Sequence, residues 1–280
     1  MPGLLKWIAI GIAGLALLAA LALVVVYFVA EERLDRTYDI PPVTISLPTD
    51  AASLERGRRL VAAVRCTECH AEDLGGQIID DNPAIARFVA TNLTSGEGGI
   101  GGQFSDADWE RALRHGVGPD GQSLIITPAQ YYYYLSDADV GAMIAYIKSV
   151  PPVDKELPPN TLGPLARLIL LLPFTDWLPA EQIDHTGPRP PAPQPGVTAA
   201  YGKYMVQIGN CESCHGSRGY EVDRWSETAF IVAMRSGDTP DGYELDNESM
   251  PWQNIGQMTD DELKAIWLYL QLLPGQDTGN

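Results

Sequence analysis

The sequence predicts a mainly α-helical protein in which one membrane-spanning helix precedes two small helical domains of the same kind. Three observations predict it. An apolar run fills residues 4–30. The pattern C-x-x-C-H occurs twice, as Cys66-Thr67-Glu68-Cys69-His70 and as Cys211-Glu212-Ser213-Cys214-His215. Around each copy the same helix signals recur at matching offsets, the mark of an internal repeat.

The apolar run comes first in the chain. After Lys6 no charge appears until Glu31, which exceeds the roughly 20 residues that cross a bilayer and the roughly 7–15-residue core of a cleaved signal peptide. Ala19-Ala20-Leu21-Ala22 has the small residues of a cleavage site, but the run continues through Val29, so the sequence predicts a retained anchor over 1–32. Lys6 flanks one end, whereas Glu31 and Glu32 lead the other. The positive-inside rule then gives a single-pass protein of the cell membrane, N-terminus cytoplasmic and the rest on the periplasmic or extracellular side. Residues 33–50 read as a polar, Pro-containing tether.

The chain has four cysteines, and the two motifs use them all. C-x-x-C-H is the attachment pattern of c-type haem: two thiols form thioethers with the macrocycle and the adjacent His supplies an axial nitrogen to iron. One helical turn presents the three groups to one side of a single ligand. A redox dithiol would sit near a βαβ pattern, and none is visible. A zinc ribbon brings its Cys pairs roughly 15–20 residues apart, whereas Cys69 and Cys211 are 211 − 69 = 142 apart. A disulfide between neighbours leaves the repeated His unexplained. The double motif predicts two covalently bound haems c, at Cys66, Cys69 and His70 and at Cys211, Cys214 and His215.

The repeat sets the domain limits at 51–155 and 199–280. Gly57, Val61 and Cys66 recur as Gly202, Val206 and Cys211, each set predicting a helix that runs into the motif. Ser105 to Gly116 and Ser226 to Gly237 both read as helices opened by a Ser cap and closed by Gly, and Pro-Asp-Gly turns follow at 119–121 and 240–242. A terminal helix runs from Ser136 to Pro151 and again from Thr259 to Pro274, with Thr259 and Glu262 as a capping box. Val140, Met143, Ile144 and Ile147, and likewise Leu263, Ile266, Trp267 and Leu270, recur at helical spacing. The first domain carries an insertion between Cys66 and Ser105, including a Gly-rich stretch at 96–102 that reads as a flexible surface loop. Asn92-Leu93-Thr94 matches a glycosylation sequon and is treated as chance.

In the second domain Met250-Pro251 lies 250 − 215 = 35 positions after the His, placing Met250 as the axial thioether; Met234 and Met258 read as core. Aligning Ser136 with Thr259 gives an offset of 259 − 136 = 123, which puts Pro128 on Pro251 and Thr127 on Met250. Thr127 is a hard, weak donor and is not expected to ligate. The first iron is expected to be five-coordinate or weakly bound by water. His115, read as a surface residue, His185, which would have to fold back, and Tyr131 to Tyr134 are the alternatives; Met143 reads as core.

Residues 156–198 read as an interdomain linker, its end Pro-rich and stiff over 186–196. Leu165 to Phe174 is apolar but too short to span, and is expected to pack between the domains or to lie at the bilayer surface. With 36 acidic against 19 basic residues the formal charge is −17. That argues against nucleic acid as a partner and fits either simple solubility or steering toward a basic protein.

Together these motifs resemble the class I cytochrome c fold, twice, and the tandem arrangement behind one anchor is similar to membrane-bound dihaem cytochrome c proteins, including the cytochrome subunits of alcohol and gluconate dehydrogenases. The resemblance covers nearly all of 51–275. It implies an electron carrier rather than an enzyme. Electrons would come from a dehydrogenase or quinol-oxidising complex and pass to another cytochrome or an oxidase. A peroxidase-like or gas-binding protein acting at the Met-less first haem is the alternative.

Overall fold

The structure is a computed structural model that describes residues 2–172, 175–187, 191–216, 222 and 225–273. Helix α1 (Pro2–Leu34) is a 33-residue helix. At about 1.5 Å per residue it is longer than the roughly 30 Å hydrocarbon layer. Its side chains from Leu4 to Val29 are exposed apart from the half-buried Val26, and Ala30 is buried. Among the described residues it is the one helix long and apolar enough to cross a membrane.

The predicted tether is not free. Thr37 bridges Gln122, Tyr38 N donates to Gly121 O at 2.8 Å, and Ile40 and Ile45 are buried, so residues 37–45 are laid across the first domain. Asp50 then caps α2 (Ala51–Ala63) by accepting from Ser53 N at 2.9 Å. The first motif is α3 (Cys66–His70). The insertion that follows folds into strands β1 (Gln77–Asn82) and β2 (Ala86–Ala90), paired antiparallel from Gln77↔Ala90 to Asn82↔Ala86. The Gly-rich stretch after them is packed rather than loose: Lys155 N donates to Glu97 O and Gly101 N to Thr94 O, both at 2.9 Å. The sequon residue Asn92 is fully buried and donates to Val153 O at 2.6 Å, which removes it as a surface acceptor for sugar.

Next come α4 (Asp106–His115), α5 (Ala129–Tyr132) and α6 (Asp137–Ser149). Ser105 forms a capping box with Asp108, and Gly116 ends α4 in the left-handed region at φ 62°. Beyond α6, strand β3 (Thr161–Leu162) joins β2 through Ala86↔Leu162 and completes a three-stranded sheet. Helix α7 (Pro164–Leu170) follows, then a 3-10 turn at Pro179–Gln182. The second half is α8 (Ala199–Ile208), α9 (Glu212–His215), α10 (Glu227–Ser236), α11 (Trp252–Ile255) and α12 (Asp260–Leu270). Thr259 and Glu262 form the expected capping box.

The helix carrying each motif crosses its terminal helix at a glycine. A Cβ on Gly57 would collide with the Ala142 carbonyl of α6, and one on Gly202 with the Ala265 carbonyl of α12. These contacts bring the backbones together, so α2 lies on α6 and α8 on α12.

Residues 156–198 are more than a linker, and α7 does not pack between the two domains. It lies against the end of α1. Arg167 Nη2 is 2.6 Å from Glu31 Oε1, its guanidinium stacks 4.8 Å over the Tyr27 ring, and Ala166 and Leu170 are buried there. Leu165 and Leu168 stay exposed beside the anchor, which fits the expected alternative of a segment at a bilayer surface. The 3-10 turn binds the same region, with Glu181 accepting from Arg33.

His115 is not a surface residue. It is buried, with Nδ1 at 2.9 Å from Nδ1 of His185, which folds back as its expected role would have required but meets His115 instead of iron; His185 Nε2 is 3.0 Å from Ala180 O. Phe174, Pro188 to Pro190 and Pro274 lie outside the described residues.

The halves meet on a polar clamp built from repeat-equivalent positions. Arg56 of α2 donates to Asp139 at 2.5 Å, to Tyr201 Oη at 3.1 Å and to Glu262 at 3.4 Å. Tyr204 donates to Asp139 at 2.5 Å. Arg56 corresponds to Tyr201, and Asp139 to Glu262, at the repeat offsets of 145 and 123. The contact therefore has the self-matching character of a two-fold interface inside one chain.

Candidate functional site

Each motif sits in the same backbone frame. The residue before the first Cys is left-handed, Arg65 at φ 66° and Asn210 at φ 54°. The residue after the His also has positive φ, Ala71 at 65° and Gly216 at 67°. Ala71, with ψ 166°, occupies a region that only glycine enters cheaply, a strain of order 1–3 kcal/mol of the kind stored at functional sites. Between these two bends the chain makes a single helical turn, which directs Cys, Cys and His to one side.

In the first half Cys66 is buried and Cys69 exposed. Burial pushes the Cys66 thiol up to about 12 and raises that of Cys69. His70 Nδ1 lies 2.7 Å from Thr91 O. A carbonyl only accepts, so Nδ1 carries the proton and Nε2 keeps its lone pair for a metal, the usual way an outer partner fixes the tautomer of a ligating His. Burial lowers the pKa of His70, which also favours the neutral ring.

In the second half a cavity of about 360 Å³ opens beside the motif. Cofactor pockets run at roughly 300–1,000 Å³ and are mostly apolar with a few placed polar groups. Cys211, Cys214, His215 and Met250 supply the chemical groups here. Phe230, Leu245, Ile266 and Leu270 form part of the apolar wall, together with Met234 and Met258, which are buried as expected but face the cavity. Burial pushes the Cys211 thiol up to about 12 and lowers the His215 pKa.

Raised thiol pKa values are the opposite of what a redox dithiol or a zinc thiolate requires. Among the described residues, no three His, Cys, Asp or Glu side chains converge as a metal cage. Two cysteines and a His on the apolar wall of the second cavity fit haem c, whose attachment consumes the thiols as thioethers.

Met250 is held in place from both sides. Its N donates to Asp246 O at 2.8 Å, its carbonyl accepts from Trp252 N at 2.6 Å, and Trp252 Nε1 ties back to Leu245 O at 3.0 Å. Thr127, its counterpart, is half-buried at the start of α5. Of the four tyrosines after it, Tyr132 is buried and donates from its hydroxyl to Val64 O at 2.7 Å, while Tyr133 reaches Gly187 O at 3.1 Å. Met143 is fully buried on α6.

Two functional positions have no signal in the sequence. Thr91 contributes through its backbone, which no side chain announces. Arg65 reaches across from the first motif to line the mouth of the second cavity beside Cys214, His215 and Met250. Asn254 Nδ2 donates to Glu68 Oε1 at 2.9 Å, so the first motif is linked to α11 of the second half.

The Cytochrome c family matches residues 54–151, and the chain carries a cytochrome c domain there. Over 216 residues the chain is 32% identical to a nicotinate dehydrogenase subunit of Pseudomonas putida, covering 72% of this chain and 17% of that protein. It is 27% identical to the gluconate 2-dehydrogenase cytochrome c subunit of Pantoea cypripedii, covering 78% and 51%. To a diheme cytochrome c-type protein of Cereibacter sphaeroides it is 26% identical, covering 92% and 98%. The chain thus spans about half or less of the first two relatives and nearly all of the third.

Proposed function

We propose that this chain is a membrane-anchored electron carrier with two haems c, one in each of two class I cytochrome c domains, 51–155 and 199–280. The observation that carries it is the paired attachment turn, with the second copy facing a cofactor-sized cavity that also holds Met250. Bound haem supplies a one-electron Fe(III)/Fe(II) couple. The residues do the rest. Cys66 and Cys69, and Cys211 and Cys214, tether; His70 and His215 each donate an imidazole nitrogen. Met250 donates a soft sulfur that favours Fe(II) and raises the potential of the second site. The apolar wall keeps water out, which limits rearrangement between oxidation states.

Arg65 lies beside the second motif and the Glu68–Asn254 bond ties the first motif to α11 of the second half, which supports electron exchange between the two domains. Helix α1 anchors the carrier with its N-terminus in the cytoplasm and both domains outside. The cytochrome-subunit relatives support protein partners in redox exchange. The donor is a dehydrogenase or a quinol-oxidising complex, and the acceptor another cytochrome or an oxidase.

The test is haem stoichiometry followed by electron transfer within the molecule. Pyridine haemochrome assay of the purified full chain should return two haems. Flash reduction should then show one haem reducing the other faster than any exchange between molecules. One haem per chain, or internal transfer that scales with protein concentration, would refute the reading.

A further inference from the structure

The two halves differ at one ligating position; from that position onward their backbone hydrogen bonds match, while the loop before it is shorter in the first half, Leu124 to Thr127 against Leu245 to Met250. Ala129 N donates to Thr127 O at 2.8 Å as Trp252 N does to Met250 O at 2.6 Å. Tyr132 N donates to Pro128 O at 3.3 Å, and Ile255 N to Pro251 O at 3.1 Å. Tyr133 N donates to Ala129 O at 2.8 Å, and Gly256 N to Trp252 O at 2.7 Å. Pro128 and Pro251 share their backbone angles, φ −79° and ψ 43° against φ −76° and ψ 59°. Upstream, Leu124 N and Leu245 N bond Gly116 O and Gly237 O at 2.6 and 2.7 Å. Thr127 therefore holds the place of Met250 in three dimensions, with a shorter side chain and a hard hydroxyl where a soft sulfur stands.

We propose that the first site, at Cys66, Cys69 and His70, leaves the sixth position of its iron open at Thr127 and takes a small neutral diatomic ligand there. The inference rests on the reading that the first motif carries haem. Of the side chains that could close the position, Tyr131 and Tyr134 correspond to Asn254 and Gln257, which do not line the second cavity, and the others are engaged elsewhere. Both nitrogens of His185 are used, by His115 and by Ala180 O. His115 corresponds to Ser236, which is exposed and forms no part of the second cavity. Tyr133 corresponds to Gly256, and its hydroxyl is turned to the 184–187 segment. Tyr132 corresponds to the cavity residue Ile255, but its hydroxyl gives its proton to Val64 O. Met143 corresponds to the cavity-wall residue Ile266 but sits on α6 rather than on the ligand loop, so the test below includes it.

Carbon monoxide is the probe, because it binds an open ferrous haem and competes poorly with a thioether ligand. Titration of the reduced full chain, after haem assay gives two haems, should take up one carbon monoxide per chain. The oxidised protein should show one high-spin and one low-spin haem by magnetic resonance. Thr127→Met should remove both the uptake and the high-spin signal while the haem count stays at two. Two haems with no uptake and two low-spin signals would overturn the open site. Loss of one of those low-spin signals in Met143→Leu would then name the sulfur that closes it. A count of one haem would overturn the proposed function, and this inference with it.

Discussion

The two halves of this molecule are built on one plan and finished differently. Against Gly237 of the second half lies the indole of Trp252, from the same domain. Against Gly116 of the first half lie Ala129 and the ring of Pro179, the latter from the connecting segment. The second half has a cavity of about 360 Å³ with Met250 in its lining. The first half puts the bulkier Trp109 and Tyr132 where the second has Phe230 and Ile255, and threonine where the second has methionine. On the proposed reading, a duplicated frame keeps its attachment turn while the position for an axial ligand diverges, because the first lies in one helical turn and the second in a distant loop.

Four sets of substitutions would break or sharpen this comparison. The largest effect is expected from Cys214→Ser with Cys211→Ser. The second half should lose its haem and, with its cavity unfilled, its cooperative melting, while the first half keeps one haem by pyridine haemochrome assay. Next is Met250→Leu. The potential of one haem should fall, on the order of 0.1–0.2 V within the roughly 0.8 V that axial ligands command, with loss of the thioether–iron band; the other haem should not move in a redox titration. Third, Gly57→Ala and Gly202→Ala should each cost on the order of 1–3 kcal/mol by overpacking the helix crossing. Denaturant unfolding followed at each haem would assign the loss to its own half. If either alanine unfolds both halves together, the clamp of Arg56, Asp139 and Tyr204 makes them one cooperative unit. The smallest effect belongs to Arg65→Gln. Removing a screened positive charge at the second cavity's mouth should lower that haem's potential by less than about 1 kcal/mol, or ~40 mV. An equal shift at the first haem would mean that Arg65 serves both sites alike.

Much of this was legible in the sequence, for local reasons. Ser105 and Thr259 cap their helices through contacts three residues away, and C-x-x-C-H is complete within one turn. Met250 could be read from the Met-Pro pair and its distance after His215, and Thr127 because Pro128 falls on Pro251. What escaped depends on distance along the chain or on backbone atoms. The His115–His185 pair joins residues 70 apart. Strands β1 and β2 are short, and only β3, far downstream, completes their sheet. The packing of 96–102 on 153–155 turns on carbonyls and amides, so glycine there read as looseness. The placement of α7 rests on contacts with the distant end of α1, Arg167 with Glu31 and Tyr27 and the burial of Leu170 beside Ala30, none of which is local in the sequence.

The Pro179 contact also bears on the order in which the chain becomes complete. Trp252 reaches Gly237 from fifteen residues downstream, within the domain that needs it. Gly116 waits for a residue that lies beyond α6, β3 and α7, so the first half has an unfilled groove until synthesis has passed residue 179. A chain stopped at 155 would contain every helix of the first domain and still lack its plug. A chain stopped at 187 would carry the plug, along with the Glu181 contact to Arg33 that fastens it to the anchor.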